Sequence, residues 1–360
     1  MKFSFLTTLL ATILVACGTE THSTGPDWSQ IQPTPPDSEQ EEEPDNTDKD
    51  DEQTNKPIEV ITITPTTINA QPNEDITGLQ YIPGMQINVD DSTFTARLEE
   101  VAAAGFKYVE LKIKYAYGLH NKTDEQIHNT FASMQQQLEQ KGITVWSIHL
   151  PYEDKNWTSI SAAENIRTQS VEYILRALRL CAEHFTTCKT YVLHASKSVS
   201  PSQTAISQAH KSLMQMDEVA KQLGVRFCVE NLVGSFCYTI DDVLAVIKPF
   251  DNVYATFDIG HANCKAYDVV EFLKSLGTKL GTVHIHDTIY GSSNDDHRIV
   301  GQGDIATKNR SWGEIYKTLL ESNGYRGVFM FEPKDNQSAG DIMATYNDII
   351  LPSYSQLTSN

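Results

Sequence analysis

Short runs of Val, Ile, Phe and Leu in this chain repeatedly end on a group that can bind a metal or move a proton. In order along the sequence these are Glu110, His149, His194, Glu230, Asp258 with His261, His284 with His286, and Glu332. One histidine at the end of a buried strand is more often a satisfied core residue than a ligand. Seven consecutive runs delivering carboxylates or imidazoles are a different matter, because a dry interior would have to pair or neutralise every one of them. A divalent cation removes that cost. Alternation within the runs agrees, since Cys228 and Glu230, Thr256 and Asp258, and Thr282, His284 and His286 each share one face of a strand. Glu230, Asp258, His284 and Glu332 then converge as three carboxylates and one imidazole, a donor set suited to Mn2+, Mg2+, Co2+ or Zn2+.

The elements that must position these groups repeat one device, a helix closed by Gly with an apolar strand following. It occurs at Gly105 before Tyr108 to Leu111, Gly142 before Ile143 to His149, Gly224 before Val225 to Glu230, and Gly324 before Val328 to Glu332. Glycine suits the left-handed residue that ends a helix. Thr123-x-x-Gln126 and Ser311-x-x-Glu314 have the form of capping boxes that open two helices. The apolar runs number eight: 78–82, 108–113, 143–150, 190–194, 225–230, 253–259, 282–285 and 327–331. Helical segments lie between them and after the last. Strands alternating with helices imply parallel pairing with right-handed crossovers, and eight such units predict a (β/α)8 barrel with its site at the C-terminal ends of the strands. A doubly wound open sheet is the alternative.

Several segments at these positions carry a family likeness: Ser147-Ile148-His149-Leu150-Pro151-Tyr152, Val192-Leu193-His194-Ala195, Val229-Glu230-Asn231, Phe257-Asp258-Ile259-Gly260-His261-Ala262, Val283-His284-Ile285-His286-Asp287, Asp296-His297 leading to Gly301-Gln302-Gly303-Asp304-Ile305, and Phe331-Glu332-Pro333. From about residue 78 onward the chain resembles the xylose isomerase-like barrel superfamily, which holds sugar isomerases and epimerases, inosose dehydratases and the endonuclease IV enzymes. The resemblance implies a metal held by Glu230, Asp258, His284 and Glu332, with Glu230 and Glu332 each keeping one carboxylate oxygen free, one to remove a proton and the other to return it. It also implies that Glu110, His149, His194, His261, His286 and His297 contact substrate. In endonuclease IV proteins a pair like Asp295 and His297, joined by histidines at positions like His149, His194 and His261, completes a three-zinc cluster. The Gly301-x-Gly303 pair is a turn, since no strand feeds it directly.

The expected activity is a metal-dependent sugar isomerase or epimerase, in which the ion polarises a carbonyl and its neighbouring hydroxyl and an enediolate forms. A keto-sugar lyase or dehydratase would use the same groups. The other enzyme class is a zinc phosphodiesterase, and the non-enzyme alternative is a surface glycan-binding lipoprotein, which has no need of four metal-ligating positions. Trp146, Trp157 and Tyr152 could stack on a sugar face, although packing is the commoner role for such residues.

Charge and composition narrow the partners. Of a net −19 over 360 residues, the stretch from Gly18 to Asp75 holds −13 and Lys2 adds +1, so residues 76–360 carry only −7. That leaves no basic surface of the kind nucleic-acid binding draws on. Met1-Lys2 followed by an apolar stretch to Val15 reads as a signal peptide, and Leu14-Val15-Ala16-Cys17 resembles a bacterial lipobox. Residues 1–17 are therefore expected to direct export with lipidation at Cys17, and residues 18–75 to be an acidic Pro/Thr-rich spacer too poor in apolar groups to fold. Ile58 to Ile68 could add a strand ahead of the 76–360 barrel. Gly18 after the cysteine favours the outer membrane, with the barrel facing the periplasm or the exterior. Five cysteines remain; none forms a C-x-x-C pair, and Cys181 with Cys188 is the local disulfide candidate. If Cys17 carries the anchor, Cys17→Ala moves the protein from the membrane to the soluble fraction with its activity intact, and continued membrane association of that variant rejects the assignment.

Overall fold

The computed structural model of the protein describes residues 82–90, 92–113, 119, 121–152, 159–196, 199–234 and 236–359. The export segment 1–17 with Cys17, the spacer 18–75, the 58–68 stretch and Trp157 lie outside the described residues.

Eight strands close into one barrel in sequence order, every pair parallel, with the first strand bonded to the last. They are β1 (Pro83–Asn88), β2 (Tyr108–Lys112), β3 (Thr144–His149), β4 (Thr190–Leu193), β5 (Arg226–Glu230), β6 (Val253–Asp258), β7 (Leu280–Ile285) and β8 (Phe329–Phe331). The helices around them are α1 (Phe94–Ala103), α2 (Asp124–Lys141), α3 (Glu164–His184), α4 (Gln203–Leu223), α5 (Ile240–Ile247), α6 (Ile259–Cys264), α7 (Val269–Leu276), α8 (Trp312–Glu321), α9 (Ala339–Thr345) and α10 (Leu351–Thr358). The expected (β/α)8 barrel is the fold, and the open sheet is excluded by the β1–β8 pairing. No helix among the described residues is long and apolar enough to cross a membrane.

The first strand lies one segment later than the sequence pattern placed it. It begins at Pro83, where a missing N–H is tolerated, and alternates Met85 and Ile87, packed in the main core, with Gln86 and Asn88. Gln86 turns into the barrel and donates to Glu110 Oε1 at 2.7 Å. A strand whose inward residues are polar has no continuous apolar run to betray it.

Local signals elsewhere act as read. Both capping boxes form, at Thr123 with Gln126 and at Ser311 with Glu314. Gly142 and Gly224 close α2 and α4 in the left-handed region. Cys181 and Cys188 are free buried thiols, not a disulfide; Cys188 Sγ donates to the carbonyls of Thr190 and Trp146 instead, and burial pushes its thiol up to about 12.

Two layers fill the barrel. Apolar Trp146, Val328 and Met330 form a cluster of their own. Trp146 Nε1 reaches Thr282 Oγ1 at 3.4 Å, so this tryptophan is packing. A register shift between β2 and β3 pairs Glu110 with Ser147, leaving Trp146 out of the ladder and setting the phase that turns Ser147 and His149 inward. The second layer is polar and occupies the strand ends.

At Gly224 (φ +66°) an added Cβ would meet nothing within 4 Å, so the cost of Gly224→Ala is the backbone's alone. Roughly 1–2 kcal/mol is expected for a side chain in this region. Urea unfolding should show a lower midpoint with an unchanged slope; an unchanged midpoint would mean that the α4 terminus adapts freely.

Candidate metal centre and active-site cavity

Asp258 ends β6 and opens α6, and its Oδ1 accepts the His261 N–H at 2.7 Å. This one capping bond fixes a carboxylate and a histidine three residues apart at the same rim. Asn231 ties the neighbouring strand end to it: its Nδ2 donates to Asp258 O at 2.9 Å and its Oδ1 accepts from Asp258 N at 2.7 Å. Gly260 lets His286 lie against the backbone, since a Cβ there would fall 2.0 Å from the ring.

These elements gather three groups of possible ligands, each with its atoms within 4.8 Å of one another: Glu230, Asp258, His284 and Glu332; His149, His194 and Glu230; and His261, His286, Asp295 and His297. The first is the set expected from strand alternation, and all four members are buried. Glu230 belongs to two groups. Its Oε1 lies 3.3 Å from His284 Nδ1, while its Oε2 lies 3.1 Å from His149 Nε2 and 2.9 Å from His194 Nε2.

The hydrogen bonds of the histidines show that the site fits cations. His149 Nδ1 lies 2.9 Å from the Leu150 carbonyl, His261 Nδ1 2.8 Å from that of Asn231, and His297 Nδ1 3.1 Å from that of Glu332. A carbonyl only accepts, so Nδ1 carries the proton and a neutral ring has its lone pair on Nε2. In all three rings Nε2 faces a carboxylate oxygen: Glu230 Oε2 at 3.1 Å for His149, and Asp295 Oδ2 at 3.1 Å for His261 and 2.7 Å for His297. A lone pair aimed at a carboxylate requires a proton or a metal between them, and an oriented imidazole is the usual arrangement around a metal. Glu332 Oε2 lies 2.8 Å from His284 Nδ1 yet is a buried oxygen without a hydrogen-bond partner.

Electrostatics tell the same story from the carboxylate side. Burial alone would raise the Glu230 carboxyl, but the His284 and His194 imidazoles hold it well below the ordinary range. Glu332 is held down against its burial by the Lys112 ammonium and His284. Burial disfavours charge on His261 and His284, yet the facing carboxylates raise both well above the usual imidazole value. His194, where burial wins, drops to about 4. Divalent ions would take the place of the protons that the carboxylates otherwise draw onto these rings.

Glu110 does not line the cavity. It is fully buried behind His284, 3.0 Å from Nε2, and accepts from Gln86 Nε2 at 2.7 Å and Ser147 Oγ at 2.6 Å. Its position on a strand face told which way it points but not how deep it lies. His286 likewise pairs with Asp258 at 3.0 Å and stacks on His297 with centroids 4.1 Å apart. The cavity itself, about 290 Å3, is lined by His149, Tyr152, His194, Glu230, His261, Asp295, His297, Glu332 and a residue the sequence reading passed over, Lys112. Lys112 was findable, for it stands two residues beyond Glu110 on the same face of β2. Tyr152 sits 4.6 Å from the His149 and His194 rings. Gly301 (φ +88°) is a turn residue as expected, its N–H donating to Asp287 Oδ2 at 2.9 Å.

The family described as xylose isomerase-like TIM barrel matches residues 98–348. The chain belongs to that family. An uncharacterized protein of Methanocaldococcus jannaschii is 28% identical over 217 residues, covering 56% of this chain and 70% of that protein. Among solved structures, a D-tagatose 3-epimerase-like protein superposes with a TM-score of 0.60 at 23% identity, covering 76% of this chain and 98% of the other. An L-ribulose 3-epimerase gives 0.61 at 17% identity, covering 78% and 99%. These likenesses establish the barrel for this member of the xylose isomerase-like family.

Because Glu110 orients His284, Glu110→Gln sets an amide against donors and should weaken divalent-ion binding about 10- to 100-fold without unfolding the barrel. Titration of the metal-stripped protein measures it. Unchanged affinity with a raised KM would return Glu110 to the substrate.

Proposed function

We propose that the protein is a divalent-metal-dependent isomerase or epimerase acting on a sugar or sugar derivative. The observation that carries this reading is the convergence of Glu230 Oε1 and Glu332 Oε2 on one nitrogen, His284 Nδ1, at 3.3 and 2.8 Å, at the wall of the cavity. Glu230, Asp258, His284 and Glu332 would hold a divalent ion, which would supply a Lewis acid for a carbonyl and the hydroxyl beside it. The rest is done by the chain. Glu230 and Glu332 reach the cavity from different strands, so one removes the proton next to the carbonyl and the other returns it. His194 and His261 hold substrate oxygens, and Tyr152 supplies an aromatic wall. Solved structures named as 3-epimerases share the fold, which is consistent with the proposal. The same groups would serve a lyase on a keto-sugar.

A second reading is a phosphodiesterase with three ions, favoured by the presence of all three ligand groups. The net −7 over residues 76–360 speaks against a nucleic-acid substrate. A glycan binder without chemistry would not repay the desolvation of so many buried carboxylates. The lipobox motivates the additional proposal that this chemistry takes place at the cell envelope.

Turnover of a keto- or aldo-sugar in D2O should place deuterium on the carbon beside the carbonyl. Glu230→Gln and Glu332→Gln should each slow that exchange by about 10²- to 10⁴-fold, and chelation should abolish it. Three zinc ions per chain, cleavage of an abasic-site DNA that fails in Glu230→Gln, and no exchange in any sugar would instead establish the phosphodiesterase.

A further inference from the structure

Among the described residues that line the cavity, Lys112 is the only Lys or Arg. It ends β2, its side chain is 12% exposed, and its Nζ lies 2.7 Å from Glu332 Oε1. The Tyr152 ring flanks it, with the centroid 5.2 Å from Nζ. The ion pair separates the two oxygens of Glu332, for Oε1 goes to the lysine while Oε2 faces His284 Nδ1 at 2.8 Å. Glu230 is held otherwise, with both oxygens among imidazoles that can themselves take an ion. Glu332 Oε1 is thus a carboxylate oxygen at the cavity wall whose partner, an ammonium, cannot be a metal ligand.

We propose that Lys112 is a positioning residue that keeps Glu332 a one-oxygen ligand, reserving Oε1 to exchange a proton with the substrate carbon. The role rests on the isomerase reading. One lone pair of Oε1 accepts from Nζ, and the other takes the proton. The C–H bond breaks, its electron pair moves into the substrate toward the carbonyl oxygen, and the return step reverses this. Without Lys112 both oxygens of Glu332 are free to close on the ion. A bound ion would then gain a donor, and the reaction would lose its base.

Binding and turnover should therefore move in opposite directions, which a merely structural lysine would not produce. The probe is Co2+ alone, titrated into the full-length metal-stripped protein. Lys112→Met should bind Co2+ about 10-fold more tightly or better, an effect of the size outer groups have on metal sites. Its visible absorption should weaken as coordination rises, and deuterium exchange into substrate should fall at least about 10²-fold. Lys112→Arg, which keeps a cation on Oε1, should retain the wild-type spectrum and an affinity within a few-fold. If Lys112→Met does not fold by circular dichroism, Lys112→Gln is read in the same way. A wild-type spectrum with equal or weaker Co2+ binding in the Met or Gln variant overturns the proposal. Absence of exchange by the wild type in every sugar defeats the isomerase reading, while the cobalt arm still decides what Lys112 does to Glu332.

Discussion

Among the described residues, the carboxylates of Glu110, Glu230, Asp258, Asp295 and Glu332 crowd one end of a closed barrel with a single lysine, Lys112, beside them. Removing even one such charge from water costs several kcal/mol unless it is compensated, so the mouth of this barrel requires cations. Imidazoles meet part of the requirement. Their orientation, with Nδ1 tied to carbonyls and Nε2 turned to the carboxylates, leaves the ring lone pairs where ions would sit. The rest of the structure serves this constraint, from the Asn231 clasp between two strand ends to the glycine that admits His286.

The same constraint explains the division of the barrel into layers. Trp146, Val328 and Met330 give the interior an apolar layer. Around the ligands stand groups whose work is orientation: Gln86, Ser147 and Glu110 behind His284, and Lys112 beside Glu332. Each sets which atom of a candidate ligand faces its neighbours, and under the proposed function that choice decides whether a carboxylate can both hold an ion and carry a proton.

The gathering of the four candidate ligands was legible in the sequence because strand alternation is a strict code. Once Glu230, Asp258, His284 and Glu332 were seen to end apolar runs, their meeting followed from parallel closure. Depth was not legible. Glu110 stands midway along β2 and His149 ends β3, both turned inward, and the first is sealed behind a histidine while the second reaches the cavity. β1 lies beyond the apolar run at 78–82 because Gln86 and Asn88 interrupt its own apolar pattern. Lys112 is neither acid nor imidazole, so the pattern of candidate ligands does not include it, although its spacing from Glu110 places it on the same face. The convergence of Asp295 and His297 on His261 was reachable only through family likeness, since a loop brings them there.

The central claim is that a divalent ion lies among Glu230, Asp258, His284 and Glu332. Anomalous diffraction from crystals of the protein grown with Mn2+ tests it most directly. The account predicts a strong anomalous difference peak with one atom from each of the four side chains in its coordination shell. Well-ordered side chains at full occupancy around a site with no anomalous peak would contradict it, and would mean that protons alone balance the buried carboxylates.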